Sequence, residues 1–214
     1  MEIQVIILRN LLYRIIFLNS QFIIQDSIFM IISFGGEAGS GKSTIAKKLA
    51  DKLGWPYYYI GGMRRQKAKE KGLTLAEYNK LGETDPSTDL EVDKYQEELG
   101  KKEDNFIIEG RTSWYFIPHS LKFYITVKEE EGARRIFKES RENDARNEDK
   151  KFQSKEEALK SIRKRQKSDH KRYQKYFGIN VFDQGHYDYV IDTTDLNPEE
   201  AFQKVWEIVE KRKS

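Results

Sequence analysis

Cysteine is absent from the chain, which excludes disulfides, thiolate metal sites and a catalytic thiol. Its absence fits a reducing, cytoplasmic setting. Histidine is scarce: His119, His170 and His186 have no H-x-x-x-H or other metal spacing between them, so they are given no catalytic or metal role. No stretch reaches the roughly 20 apolar residues of a membrane-spanning helix, so no membrane partner is expected. A large excess of charge is missing too. The 38 basic residues exceed the 35 acidic ones by a net +3, which by itself requires no polyanion such as nucleic acid. Internal repeats and Ser/Gly linkers are also lacking, and 214 residues suit one α/β domain with a modest insertion.

What the chain does have is a strong local signal at Met30–Leu53. A short apolar run, Met30 to Phe34, reads as a buried strand. Gly36-Glu37-Ala38-Gly39-Ser40-Gly41-Lys42-Ser43 then matches G-x-x-x-x-G-K-[ST], and Thr44 follows. Ile45, Ala46, Leu49, Ala50 and Leu53 recur at helical spacing up to Gly54. Strand, glycine loop and helix thus come in the order that gives the motif meaning. The loop's N–H groups and the helix N-terminus suit a phosphate chain. Lys42 supplies a cation for the terminal phosphates and Ser43 a hydroxyl ligand for Mg²⁺. A nucleoside triphosphate site over Gly36–Thr44 is the expectation.

Residues 1–29 differ from the rest. They are rich in Ile, Leu and Phe but interrupted by Arg9, Asn10, Arg14, Asn19 and Gln21. The preferred reading is translated upstream sequence with Met30 as the initiator; the rival is a peripheral membrane- or partner-binding helix. From residue 30 onward strands and helices alternate. Strands are expected at Tyr57–Ile60, Asn105–Arg111, Leu121–Val127 and Tyr189–Asp192. Helices are expected from about Met63 to Lys71, after the Thr74–Glu77 capping box, from Asp85-Pro86 to about Leu99, and over Glu129–Arg141. Two more are expected from the Ser154–Glu157 box to about Tyr176 and after Asn197-Pro198. Residues 142–153 read as a mobile insertion. The alternation predicts a single domain over 30–214 with a mostly parallel, doubly wound sheet, whose ligands sit at the carboxyl ends of the strands.

Those ends carry phosphate-binding types. Arg65 follows the second strand and Arg111 the third, and two arginines converging there would make a second phosphate site facing the glycine loop. Glu109 ends an apolar strand where a Walker B acid belongs; it would hold a Mg²⁺-bound water or else pair with Arg111 or Lys42. Arg165 and Arg172 share one face of the basic 154–176 helix, either as a closing lid or on a solvated face, with RNA binding a further possibility for that run. Asp89, Asp93 and Gln96 form one polar stripe, read as a solvated face or as a wall that hydrogen-bonds a nucleobase.

Taken together, the motifs resemble the cytidylate kinases, particularly the compact archaeal-like type, over nearly all of residues 30–210. The matching pieces are GGEAGSGKST, Gly61-Gly62-Met63-Arg64-Arg65, Leu73–Tyr78, Asp85-Pro86 with Asp89-x-x-x-Asp93-x-x-Gln96, and Ile108–Arg111. Arg165-x-x-Ser168-x-x-x-Arg172-Tyr173 and Tyr187–Thr193 complete the set. The resemblance implies a three-layer P-loop kinase fold with a five-stranded sheet, an NMP-binding segment at about 61–100 and a lid region at about 134–176. It implies transfer from ATP, with Mg²⁺, to CMP or dCMP. On it Arg65 and Arg111 bind the acceptor phosphate, and Arg165 and Arg172 join Lys42 and Arg111 in catalysis. The partners implied are small nucleotides, with a monomer expected. The chain departs from the pattern in having Glu37-Ala38 where a proline is common, Arg64 where an aromatic is usual and Tyr95 in place of a basic residue. The alternatives are another acceptor (UMP, AMP or a small hydroxyl compound) and a non-enzymatic P-loop or RNA-associated protein.

Overall fold

A computed structural model describes residues 29–142 and 151–213. Apart from Phe29, the expected N-terminal extension lies outside the described residues, as does 143–150 of the expected insertion.

Five parallel strands form one sheet: β1 (Ile31–Gly36), β2 (Tyr57–Tyr59), β3 (Phe106–Glu109), β4 (Leu121–Thr126) and β5 (Tyr189–Asp192), in the order β2-β3-β1-β4-β5. The central strand is buried along its whole length, which is why it reads as a continuous apolar run rather than an alternating one. Its side chains still divide between two faces. Ile32 and Phe34 join Ile45, Leu49, Ile107, Phe123, Val205 and Val209 on one side, while Ile31 joins Ile60, Val92, Phe106, Ile108 and Ile117 on the other. Phe34, Phe123 and Tyr189 stack across three neighbouring strands with centroids 5.3 Å apart at each step. Each such buried aromatic or aliphatic side chain contributes about 1.5–3 kcal/mol, enough for these two apolar layers to fix the sheet.

The helices are α1 (Lys42–Leu53), α2 (Ile60–Glu70), α3 (Leu75–Gly82), α4 (Ser87–Lys102), α5 (Ser113–Phe116), α6 (Glu129–Glu142), α7 (Lys155–Phe177) and α8 (Pro198–Lys213). Thr74 and Glu77 form both halves of the expected capping box at α3. Ser154 caps α7 through the Glu157 N–H, but the Glu157 carboxylate turns to the Gln153 N–H, so the second box is only half formed. Asp85 accepts from Ser87 N at the start of α4, and Asn197 accepts from Glu199 N and Glu200 N at the start of α8.

Three expectations need correcting. Gly61 and Gly62 lie inside α2 rather than in a turn before it; the Tyr59 ring lies so close that a Cβ on Gly62 would stand 2.7 Å from it. Gly100 does not end α4, which continues to Lys102. It leaves room for Ile117, whose side chain would be 2.9 Å from a Cβ there. Phe152, read as part of a mobile insertion, is buried among Ala133, Ile136, Ala158 and Ile162, fastening α6 to α7. The short helix α5 was not foreseen.

Candidate functional site

The carboxyl ends of β1, β2 and β3 open onto one cavity of about 940 Å³, bordered also by α6, α7 and the turn after β5. All of Gly36–Thr44 borders it except Glu37. Glu37 is turned away: its carboxylate accepts from Thr126 Oγ1 at 2.8 Å and Val127 N at 2.9 Å. In place of a proline, the loop is thus tied to the end of β4 by the Glu37 side chain, so of the residues expected to bind the cofactor Glu37 instead serves as a brace. Gly39 has φ +77°, and a Cβ there would sit 2.3 Å from Gly132 O, so the loop and α6 approach at a distance that only glycine allows. Gly41 precedes α1 in the left-handed region with no side-chain cap. The first N–H groups of that helix are therefore left to a ligand. Lys42 Nζ donates to Glu37 O at 2.8 Å.

Glu109 is buried at the end of β3, where its Oε1 accepts from Ser43 Oγ at 2.8 Å and its Oε2 from Tyr57 OH at 2.5 Å. Its hydrogen bonds thus come from Ser43 and Tyr57, not from the Arg111 or Lys42 that the sequence suggested as pairing partners. Burial, and then the Glu109 charge, push the Tyr57 phenol well up from its ordinary value, so it remains a donor. A hydroxyl beside a carboxylate is a hard oxygen pair that suits Mg²⁺. Among the described residues no group of three or more His, Cys, Asp or Glu forms a metal cage.

The opposite end of the cavity is an ion network drawn from α2, α4, α7 and the turn after β3. Asp89, Asp93 and Gln96 are all buried, which excludes the solvated-face reading. Asp89 accepts from Arg64, and from Arg172 Nη1 at 2.7 and 2.6 Å. Asp169 pairs with Arg111 Nε at 2.7 Å and Arg172 Nη2 at 2.5 Å, with Arg165 Nε at 4.0 Å. Burial works against the Asp169 charge, but Arg111, Arg172 and Arg165 outweigh it and hold the carboxyl below its ordinary value. Arg64, in the usual aromatic position, lies over the Tyr78 ring and donates to Asn79 Oδ1 at 2.9 Å. Arg65 donates to Tyr59 OH at 2.5 Å and Gly61 O at 3.0 Å.

Arg65, Arg111, Arg165, Asp89 and Asp93 border the cavity; Arg172 and Gln96 do not. Arg172 is fully buried between Asp89 and Asp169, which corrects its placement as a catalytic lid arginine: its guanidinium is committed to two carboxylates. Gln96 is likewise removed from the expected base-contacting wall, since it is fully buried and spends its amide on Asp93, Thr112 and Ser113. The rest of α7 is also largely engaged. Arg163 pairs with Glu129, and Lys171 with Glu83. Ser168, Lys175 and Tyr176 hydrogen-bond to Glu83 or Gly82 around the end of α3.

Three residues were missed. Asp169 is a lone acid among the arginines of a basic helix, and its spacing of i+4 from Arg165 and i−3 from Arg172 was the available signal. Arg134 and Arg135 follow β4 and border the cavity beside the glycine loop. Arg135 donates to Thr193 O at 2.7 Å, Thr194 O at 3.1 Å and Glu131 at 2.7 Å. Thr193 Oγ1 in turn donates to Ser40 O at 2.9 Å, joining the turn after β5 to the loop.

Residues 31–195 match the model of the cytidylate kinase-like family. A cytidylate kinase of Methanobrevibacter smithii is 36% identical over 171 residues, covering 79% of this chain and 92% of that one. A cytidylate kinase of Pyrococcus horikoshii is 37% identical over 174 residues, covering 81% and 84%. Among solved structures, a shikimate kinase of Bacteroides thetaiotaomicron superposes with a TM-score of 0.58 at 15% identity, covering 85% of this chain and 99% of that one. An uncharacterized protein of Eubacterium ventriosum reaches 0.61 at 19% identity, covering 85% and 98%. At such identities these structures share the fold alone. No helix among the described residues is long and apolar enough to cross a membrane.

Proposed function

The chain belongs to the cytidylate kinase-like family, and on that premise we propose that it transfers the γ-phosphoryl group of ATP to CMP or dCMP, giving ADP and the corresponding diphosphate. The observation that carries this reading is the placement of two unlike anion sites at one cavity. Backbone N–H groups and Lys42 lie at one end, and Arg65, Arg111 and Arg165 at the other. A phosphate acceptor is already an anionic nucleophile, so the protein's work is to align two polyanions and offset their repulsion.

In this reading the Gly36–Thr44 backbone and Lys42 hold the triphosphate, with Arg134 and Arg135 near the loop as further donors. Arg65 and Arg111 receive the acceptor phosphate, and Arg165 approaches from α7. Asp89 and Asp169 hold Arg64 and Arg172 in place through charge-assisted hydrogen bonds, and Asp169 holds Arg111 through an ion pair. Ser43 and Glu109 would hold Mg²⁺ directly or through water, and the ion supplies charge neutralisation on the phosphate oxygens when bound. Asp93 is the acid left to read the base. All of these groups are on one chain, so a monomer suffices.

An ADP-release assay across CMP, dCMP, UMP, AMP and GMP tests the proposal. CMP and dCMP are expected to have the highest kcat/KM. Transfer to none of the five, or a preference for a purine, overturns it.

A further inference from the structure

Four acids border the cavity within its buried wall, and three of them have close ion-pair or hydrogen-bond partners. Asp89 and Asp169 are held by arginines, and Glu109 by Ser43 and Tyr57. Asp93 differs. Its Oδ1 faces Gln96 Nε2 at 3.3 Å and Thr112 Oγ1 at 3.4 Å. The Gln96 amide is oriented by Ser113 Oγ, which donates to its Oε1 at 2.7 Å. Asp93 Oδ2 has no hydrogen-bond partner among the described residues, although the residue is only 5% exposed. A buried oxygen left without a hydrogen bond is costly to keep, so a site that keeps one on a ligand cavity has a use for it.

We propose that Asp93 Oδ2 meets position 4 of the acceptor's pyrimidine ring, and that the proton on this carboxyl decides which pyrimidine is taken. Ionised, the oxygen accepts from a 4-amino group, as in CMP. Protonated, it donates to a 4-keto oxygen, as in UMP. The inference rests on the proposed function and deepens it, making base choice a property of one side chain's charge state.

The surroundings set that charge state near neutrality. Burial first, and then the neighbouring Asp89 on α4, push the Asp93 carboxyl up to about 7. Arg64 from α2, the Thr112 hydroxyl from the turn after β3 and Arg172 from α7 pull the other way. The remaining charges on this part of the wall, Arg111, Arg165 and Asp169, are engaged with one another. Asp169 is held below its ordinary value and Arg172 above its own, so neither exchanges a proton near neutrality.

The test is the ratio of kcat/KM for CMP to that for UMP as a function of pH, because the phosphate ionisation common to both cancels. Between about pH 8 and about pH 6 the ratio is expected to fall by about tenfold, the size of one charge-assisted hydrogen bond gained or lost. In Asp93→Asn it should stay level. Calorimetric titration with CMP and UMP in the absence of ATP gives the same ratio for binding alone, so slow transfer does not hide the answer. A level ratio in the unaltered protein, with both nucleotides turned over, overturns this inference while leaving CMP phosphorylation standing. A fall of equal size in Asp93→Asn also overturns it, since the titrating group then lies elsewhere. If neither nucleotide binds or is phosphorylated, the proposed function fails and the inference falls with it.

Discussion

At the loop end of the cavity the polar groups belong mainly to the backbone of one short stretch, Gly36–Thr44, whereas at the other end they are side chains from four separated segments. The loop end depends on glycine geometry: Gly39 at φ +77° against Gly132, and Gly41 left-handed ahead of an uncapped helix. The far end depends on charge balance, with Arg64, Arg111 and Arg172 distributed over Asp89 and Asp169 inside the wall. A backbone site is stable without its ligand because its N–H groups lie beside solvent. A buried ion network is stable only while every member is present. The two ends should therefore fail in different ways: substitutions at the loop should remove activity and spare the fold, while substitutions in the network should damage both.

The largest effect is expected at the loop. Lys42→Ala removes the mobile cation nearest the transferring phosphates, and kcat should drop by at least about a thousandfold. Its urea midpoint should remain close to that of the unaltered protein, because the bond that Lys42 donates to Glu37 O lies within the glycine loop itself and ties no two elements of the core together. A large loss of stability in this variant would erase the distinction between the two ends.

The network is expected to give the next largest effect. Asp169→Asn leaves Arg111 and Arg172 without their shared counter-charge, and breaking a buried pair in this way costs about 3–5 kcal/mol. Denaturant unfolding should show that loss, and acceptor KM should rise as Arg111 loses its anchor. Unchanged stability would mean that the arginines re-pair within the wall and that the network is less tightly coupled than its geometry implies.

This difference also explains what was legible from the amino-acid pattern. The strand, glycine loop and α1 are contiguous, so their spacing reported them directly, and the parallel sheet followed from alternating apolar runs. Glu109 and Arg111 were legible as cavity residues because one ends a strand and the other comes two residues after it. Asp169 and the burial of Arg172 were not, because a 23-residue basic helix has the same pattern whether a given arginine faces water or an acid 83 residues earlier in the chain. Gly61, Gly62 and Gly100 were misread for a related reason. Glycine in a local window signals a turn, but here it makes room for Tyr59 and Ile117, which only the tertiary packing brings near.

Asp93 sharpens the comparison in the opposite direction, since here a substitution in the wall should stabilise. Its folded carboxyl is raised from 3.8 to about 7, so the fold disfavours the ionised form. Stability from this group is complete below the unfolded value and is lost as pH rises through the folded one. Asp93→Asn removes the charge, so its gain over the unaltered protein should appear above about pH 7, on the order of a few kcal/mol, and shrink toward zero by about pH 4. Thermal melts of both proteins across that range measure it. A gain independent of pH would point to packing rather than charge.

The smallest effect is expected within α7 itself, and it isolates burial as the cause of the network's fragility. Arg163 and Arg172 belong to the same helix and both make close contacts to carboxylates, Arg163 through Nη2 and Nε to Glu129 at 2.7 to 3.1 Å. The side chain of Arg163 is 61% exposed and that of Arg172 only 1%. Water competes for the first pair and screens it, so Arg163→Ala should leave the denaturation midpoint nearly unchanged, and salt should narrow any difference further. Arg172→Ala strands Asp89 and Asp169 in the wall and should approach the cost of Asp169→Asn. If the two arginine variants lose stability equally, contact distance rather than burial governs these pairs, and the contrast between the two ends of the cavity needs another explanation.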